Sequence, residues 1–160
     1  MKWQPEILGA LAALALAAAW PVIAQGADEA TLQPYKARYQ VHYRGLNGGQ
    51  IETGLRPGPE AGQWIYETRA FPSLLGRLAV SSQGRERGVM QVTSAGVRPL
   101  TFDFNDGSDG SVKDVSFAFD WNARRVKGVA EGVPFEFDVP PGTQDTASVQ
   151  AAMLIDLLAD

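Results

Sequence analysis

The chain has 160 residues, 45% hydrophobic and 20% charged, with no cysteine and one histidine. That length can bury one core without covalent staples. The composition excludes thiolate catalysis, disulfides, cysteine-ligated metals and iron–sulfur clusters, and histidine-cluster metal centres. A formal charge of -4 argues against nucleic acid as a partner, since that recognition needs a strongly basic protein surface.

Residues 1–24 read as a secretory signal peptide. Lys2 provides a short positive start, residues 7–20 form an apolar run rich in Ala and Leu, and Pro21-Val22-Ile23-Ala24 leads to a small residue at the cut. The alternative, an uncleaved anchor, is opposed by a run shorter than the ~20 residues that a membrane helix needs. No cysteine follows to carry a lipid. The expected product is a periplasmic protein with a single β domain over residues 25–160.

Residues 35–44 alternate strictly. Tyr35, Ala37, Tyr39, Val41 and Tyr43 take one face, and Lys36, Arg38, Gln40, His42 and Arg44 take the other. A period of two separates these classes and a helical period does not, so a strand is expected, with its apolar face toward the core. The glycine-rich residues 45–49 are expected to form a hairpin loop. A strand over 50–56 follows, with Ile51, Thr53 and Leu55 inward. Residues 57–62 break the chain, and 63–68 resume it. Residues 71–76 interrupt the pattern as a helical turn or cross-over. Further strands are expected over 78–87, 89–93, 100–104, 112–120, 125–130 and 133–139. Residues 105–110 form a hairpin turn between them, and 121–124 and 131–132 are tight turns. Breaks every roughly 8–12 residues predict an all-β antiparallel meander, either a curved sheet or a partly open barrel.

The last segment changes period. Gln144 to Ser148 offer capping side chains, and Val149, Ala152, Met153, Ile155, Leu157 and Leu158 form a helical stripe. No glycine or cation marks the end of this helix, and Asp156 and Asp160 stand where the macrodipole disfavours anions. The helix is therefore expected to be cut short and the domain to be incomplete at its C-terminal end.

Pro34-Tyr35-Lys36-Ala37-Arg38-Tyr39-Gln40-Val41, then Arg44-Gly45-Leu46 and Gly48-Gly49, resemble the opening of domain-of-unknown-function family 3108. Gly96-Val97-Arg98-Pro99 and Gln144-Asp145-Thr146-Ala147-Ser148 continue the resemblance, which spans about residues 32–158. It implies an exported bacterial protein with a β fold whose pattern continues past the Gln-Asp motif. It brings no catalytic residues, because the family has no established activity.

No catalytic, cofactor or metal residue is assigned. His42 lacks a nucleophile signature to serve and lies on the polar face of its strand. The oxygen-rich stretch from Asp103 to Gly110 fails the register of a calcium loop, since the fifth position is Gly107 and the twelfth is Asp114. Gly45, Gly48 and Gly49 open a strand, not the helix that binds phosphate. Asp103, Asp114, Asp120, Glu136 and Asp138 are the acidic residues from which a glycosidase pair would be drawn, and alternation puts most of them on a solvent face. The aromatic strand positions carry more information. Tyr39, Val41, Tyr43, Trp64, Tyr66, Phe102 and Phe117 are taken as the lining of a cavity for a lipid or other hydrophobic ligand, with plain core packing as the competing reading. The expected function is a non-enzymatic periplasmic protein that binds or carries a hydrophobic envelope component or supports envelope assembly, with an envelope protein as a further partner. A cell-wall glycan hydrolase and a structural interaction module are the alternatives.

Overall fold

The computed structural model describes residues 32–74, 76–78, 84–108 and 113–159. The expected signal peptide and residues 109–110 of the expected hairpin tip lie outside the described residues. Eight strands follow one another: β1 (Tyr35–Tyr43), β2 (Leu46–Pro57), β3 (Gln63–Pro72), β4 (Arg85–Thr93), β5 (Gly96–Asn105), β6 (Val115–Asp120), β7 (Arg125–Ala130) and β8 (Val133–Asp138). Each pairs antiparallel with the next in a single meander, and the sheet is not closed: β1 and β8 are its edges. One helix, α1 (Thr146–Ala159), crosses the face of β3, β4 and β5.

Local chemistry sets the turns. Arg44 (φ 49°) and Gly45 (φ 80°) form the β1–β2 connection, and Glu131 (φ 52°) and Gly132 (φ 77°) form the β7–β8 connection. Two successive left-handed residues match the right-handed twist of a hairpin. The expected loop over 45–49 thus shrinks to a two-residue turn, and Leu46 to Gly49 join β2, with a bulge opposite at Val41/His42. β4 runs unbroken through Gly88, where the sequence suggested a division, and Leu78 belongs to a single 3-10 turn instead of a strand.

The core follows from the register. Tyr35, Leu55, Tyr66, Gly88, Phe102, Phe117, Gly128 and Phe135 are successive cross-strand partners, one row across all eight strands. They occupy the face on which α1 lies. Phe102 and Phe117 stack with centroids 4.9 Å apart, and Phe117 meets Phe135 at 6.1 Å across the bare Gly128. Leu55, Tyr66, Met90 and Phe102 are buried together with Leu32, Ala147 and Ala151. The inward face expected of β1 reaches this core at Tyr35 only: Tyr39 is 55% and Tyr43 68% exposed. The helix packs on β3, β4 and β5, and among the described residues no element covers Tyr39 and Tyr43 of the edge strand.

Candidate functional site

The sheet positions α1 through its first residues. Asp145 is the N-cap: its Oδ1 accepts the amides of Ala147 (3.0 Å) and Ser148 (2.7 Å), and the Asp145 amide in turn donates to Ser148 Oγ at 2.9 Å. This reciprocal pair satisfies the free donors of a helix start, with serine in the place usually held by glutamate or glutamine. Gln144 Nε2 donates to the Val97 carbonyl at 2.8 Å, tying the cap to β5. Asp145 Oδ2 and Gln144 Oε1 are buried and accept no hydrogen bond among the described residues. Burial pushes the Asp145 carboxyl above its ordinary range, against the lowering effect of its bonds to Ser148 and Ala147.

Beside this cap stands Glu86 of β4. Alternation places it on the helix face in a row with Thr53, Thr68, Phe104 and Val115, while its neighbours Arg85 and Arg87 point to the outer face. Burial is the first cause that raises its pKa. The Asp145 charge adds to the rise, and the Thr146 side chain draws it partly back. Two half-buried carboxyls therefore meet where the helix begins.

Beyond that point α1 no longer covers the sheet. The helix face left open there by the described residues forms a cavity of about 540 Å³, lined by Val41, Ile51, Thr68, Ala70, Pro72 and Phe104. Glu86, Asp106 and Lys113 are its charged members, and Arg85, whose side chain belongs to the outer face, stands at its border. Tyr39 pairs with Ile51, and Ile51 with Ala70, so these residues share one row of that face. Chemically, the space suits an apolar chain next to a small set of polar groups.

The residues singled out from the sequence divide into two groups. Val41 lines the cavity, Tyr39 lies on its face, and Tyr43 is exposed near the end of β1. Tyr66 and Phe102 are in the core under α1, with Trp64 and Phe117 packed against them. The acidic set is not drawn together. Asp103 is on the outer face of β5, and Asp114 accepts from the Asn105 side chain at 2.8 Å and the Asp106 amide at 3.2 Å. Asp120 caps the turn through Asn122 and Ala123, while Glu136 and Asp138 pair with Arg125 on the outer face. Ile51, Ala70, Phe104 and Glu86 line the cavity and are not in the lining expected from the sequence. Strict parity along β4 was the available signal for Glu86.

A family model described as "Protein of unknown function (DUF3108)" matches residues 38–159. No curated protein and no solved structure matches the chain.

Proposed function

The chain belongs to the DUF3108 family, and we propose that it is an exported periplasmic protein that holds the apolar chain of a hydrophobic envelope component in the cavity beside α1. The observation that carries this reading is the stretch of helix face that no described residue covers, a space of about 540 Å³ with Val41, Ile51, Ala70, Pro72 and Phe104 as its apolar lining. Ligand pockets fall between roughly 300 and 1,000 Å³ and are mostly apolar, with few oriented polar groups. Each methylene moved from water into such a space gains about 0.8 kcal/mol. Eight of them supply about 6 kcal/mol before the costs of association, enough for reversible binding and not for permanent retention. Lys113 gives the space a cation for an anionic headgroup, and the half-buried Glu86 carboxyl, with Asp106 nearby, gives a protonatable partner. The mechanism is one of carriage, with no bond made or broken.

Titration with a fluorescent fatty acid tests the reading. Wild type is expected to saturate at one site. Ala70→Trp, which puts a large side chain into the space, is expected to weaken binding at least tenfold while its melting temperature stays near wild type. Equal binding by both proteins places the ligand elsewhere. Export is tested separately: protein from the cell envelope is expected to begin at or near Gln25, and recovery of the Met1 form from the cytoplasm contradicts it.

A further inference from the structure

The face of the sheet opposite α1 has a different chemistry. Parity places Lys36, Arg38, Arg56, Arg69, Arg85 and Arg87 on the outer side of β1–β4, and the acidic residues there are Glu52 and Glu67 alone. A chain with a formal charge of -4 thus gathers six cations around two carboxylates. Asp103 of β5, the register partner of Arg87, bounds the patch on one side.

Glu67 is shared among four guanidiniums, with Arg85 at 3.2 Å, Arg56 and Arg87 at 3.4 Å and Arg69 at 3.5 Å. Partial burial pushes its carboxyl up, and the charges of Arg85, Arg56 and Arg69 more than reverse this and hold it below the ordinary range. One carboxylate accepts about four hydrogen bonds, whereas each arginine offers five donors. All four contacts are also longer than the roughly 2.7–2.9 Å of a strong charge-assisted bond. Most of the donors therefore remain available, and the side chains of Arg56, Arg69 and Arg85 are 54%, 53% and 48% exposed. Glu52 serves the other end, with Lys36 at 2.8 Å and Arg38 beside it.

The register adds a second argument. Arg69 and Arg85 are direct cross-strand partners. Like charges in that position destabilise a sheet, so the pair leans on the one Glu67 carboxylate that both contact, and a further anion there is favoured. A cleft of about 500 Å³ opens on this face, and its lining includes Lys36, Arg56 and Arg69 together with Glu52 and Glu67. Planar guanidinium forks match the paired oxygens of a phosphoryl group, and a lysine adds a point charge.

We propose that the outer face of β1–β4 is a binding site for phosphoryl groups, distinct from the cavity beside α1 and independent of the reading of that cavity. Glu67 occupies the centre of the arginine set, so the ligand is one that reaches around it with several oxygens, either a headgroup in a lipid surface or a soluble compound with adjacent phosphates.

The test uses the whole chain at low salt with two probes: sodium pyrophosphate followed by calorimetry, and vesicles of phosphatidylglycerol in phosphatidylcholine followed by co-sedimentation. Binding is expected to at least one probe and to fade as salt is raised. Arg69→Gln/Arg85→Gln is expected to lower that affinity tenfold or more, whereas Arg125→Gln, on the outer face of β7, stays within about twofold of wild type. Vesicle binding alone identifies a lipid headgroup, pyrophosphate binding alone identifies a soluble phosphoryl compound, and both together assign the group itself. The double variant loses a repulsive pair and is expected to fold. If it melts early, Lys36→Gln/Arg56→Gln in the cleft supplies the same comparison. The proposal is overturned by no binding to either probe, by undiminished binding in the variants, or by equal adsorption to vesicles of phosphatidylcholine alone.

Discussion

A Cβ placed on Gly88 would stand 2.3 Å from the Cβ of Ala147. The missing side chain at the centre of β4 is therefore the notch into which the first turn of α1 fits. Tyr66 and Phe102, the register partners of Gly88, form its walls. Residue 88 is glycine for want of space, since its backbone does not lie in the left-handed region.

Gly88→Ala is expected to lower stability by about 1–3 kcal/mol, the usual cost of overpacking a filled site. Urea denaturation measures it. Combined with Ala147→Gly, which by itself costs about 1 kcal/mol in helix propensity, the loss should be less than additive, because the second change vacates the space. Full additivity would mean that residues 88 and 147 do not touch.

The N-cap gives a graded expectation. Asp145→Ala removes the acceptor for two amides and is expected to cost about 1–2 kcal/mol. Asp145→Asn keeps an acceptor oxygen and is expected to fall between wild type and the alanine variant. The same denaturation curves decide it, and an asparagine variant as weak as the alanine one would assign the effect to charge.

Glu86 gives a pH-dependent expectation. Burial raises its folded pKa above the unfolded value of about 4.3. The native state keeps a proton that the unfolded chain has released. This advantage is complete below about pH 4 and disappears as pH rises through the folded value. Glu86→Gln abolishes the loss, so the variant should exceed wild type in stability near pH 7 and converge with it near pH 4. The freed Asp145 then ionises more easily in the variant, which widens the difference at neutral pH. Melting temperatures across that range test it, and a difference independent of pH would contradict it.

The strands were legible because period two needs only neighbours in sequence. Tyr35 to Tyr43 declare a strand without reference to anything distant. What covers a strand is a long-range fact. Nothing near Tyr39 records that α1 returns over β3–β5 and leaves the edge bare, so an apolar face was assigned to a core that reaches it only at Tyr35. Gly88 read as a break for the same reason: its purpose lies 59 positions away at Ala147. Glu86 sits in the run Arg85-Glu86-Arg87 and resembles a solvated charge cluster, although alternation sends it to the opposite face from both arginines. The Gln144-Asp145 motif was read as a cap, and its cap geometry is present. Its bond to the Val97 carbonyl, inside a second motif, depends on the tertiary fold.

The central claim is that an apolar chain occupies the space bounded by Val41, Ile51, Ala70 and Phe104. Photocrosslinking with a diazirine-bearing fatty acid, followed by peptide mass spectrometry, tests it most directly. The account predicts adducts on peptides containing those residues, competed away by unlabelled fatty acid and lost in Ala70→Trp. Adducts confined to the exposed residues of α1 and β8, such as Leu157 and Phe137, or adducts unaffected by Ala70→Trp, would contradict it.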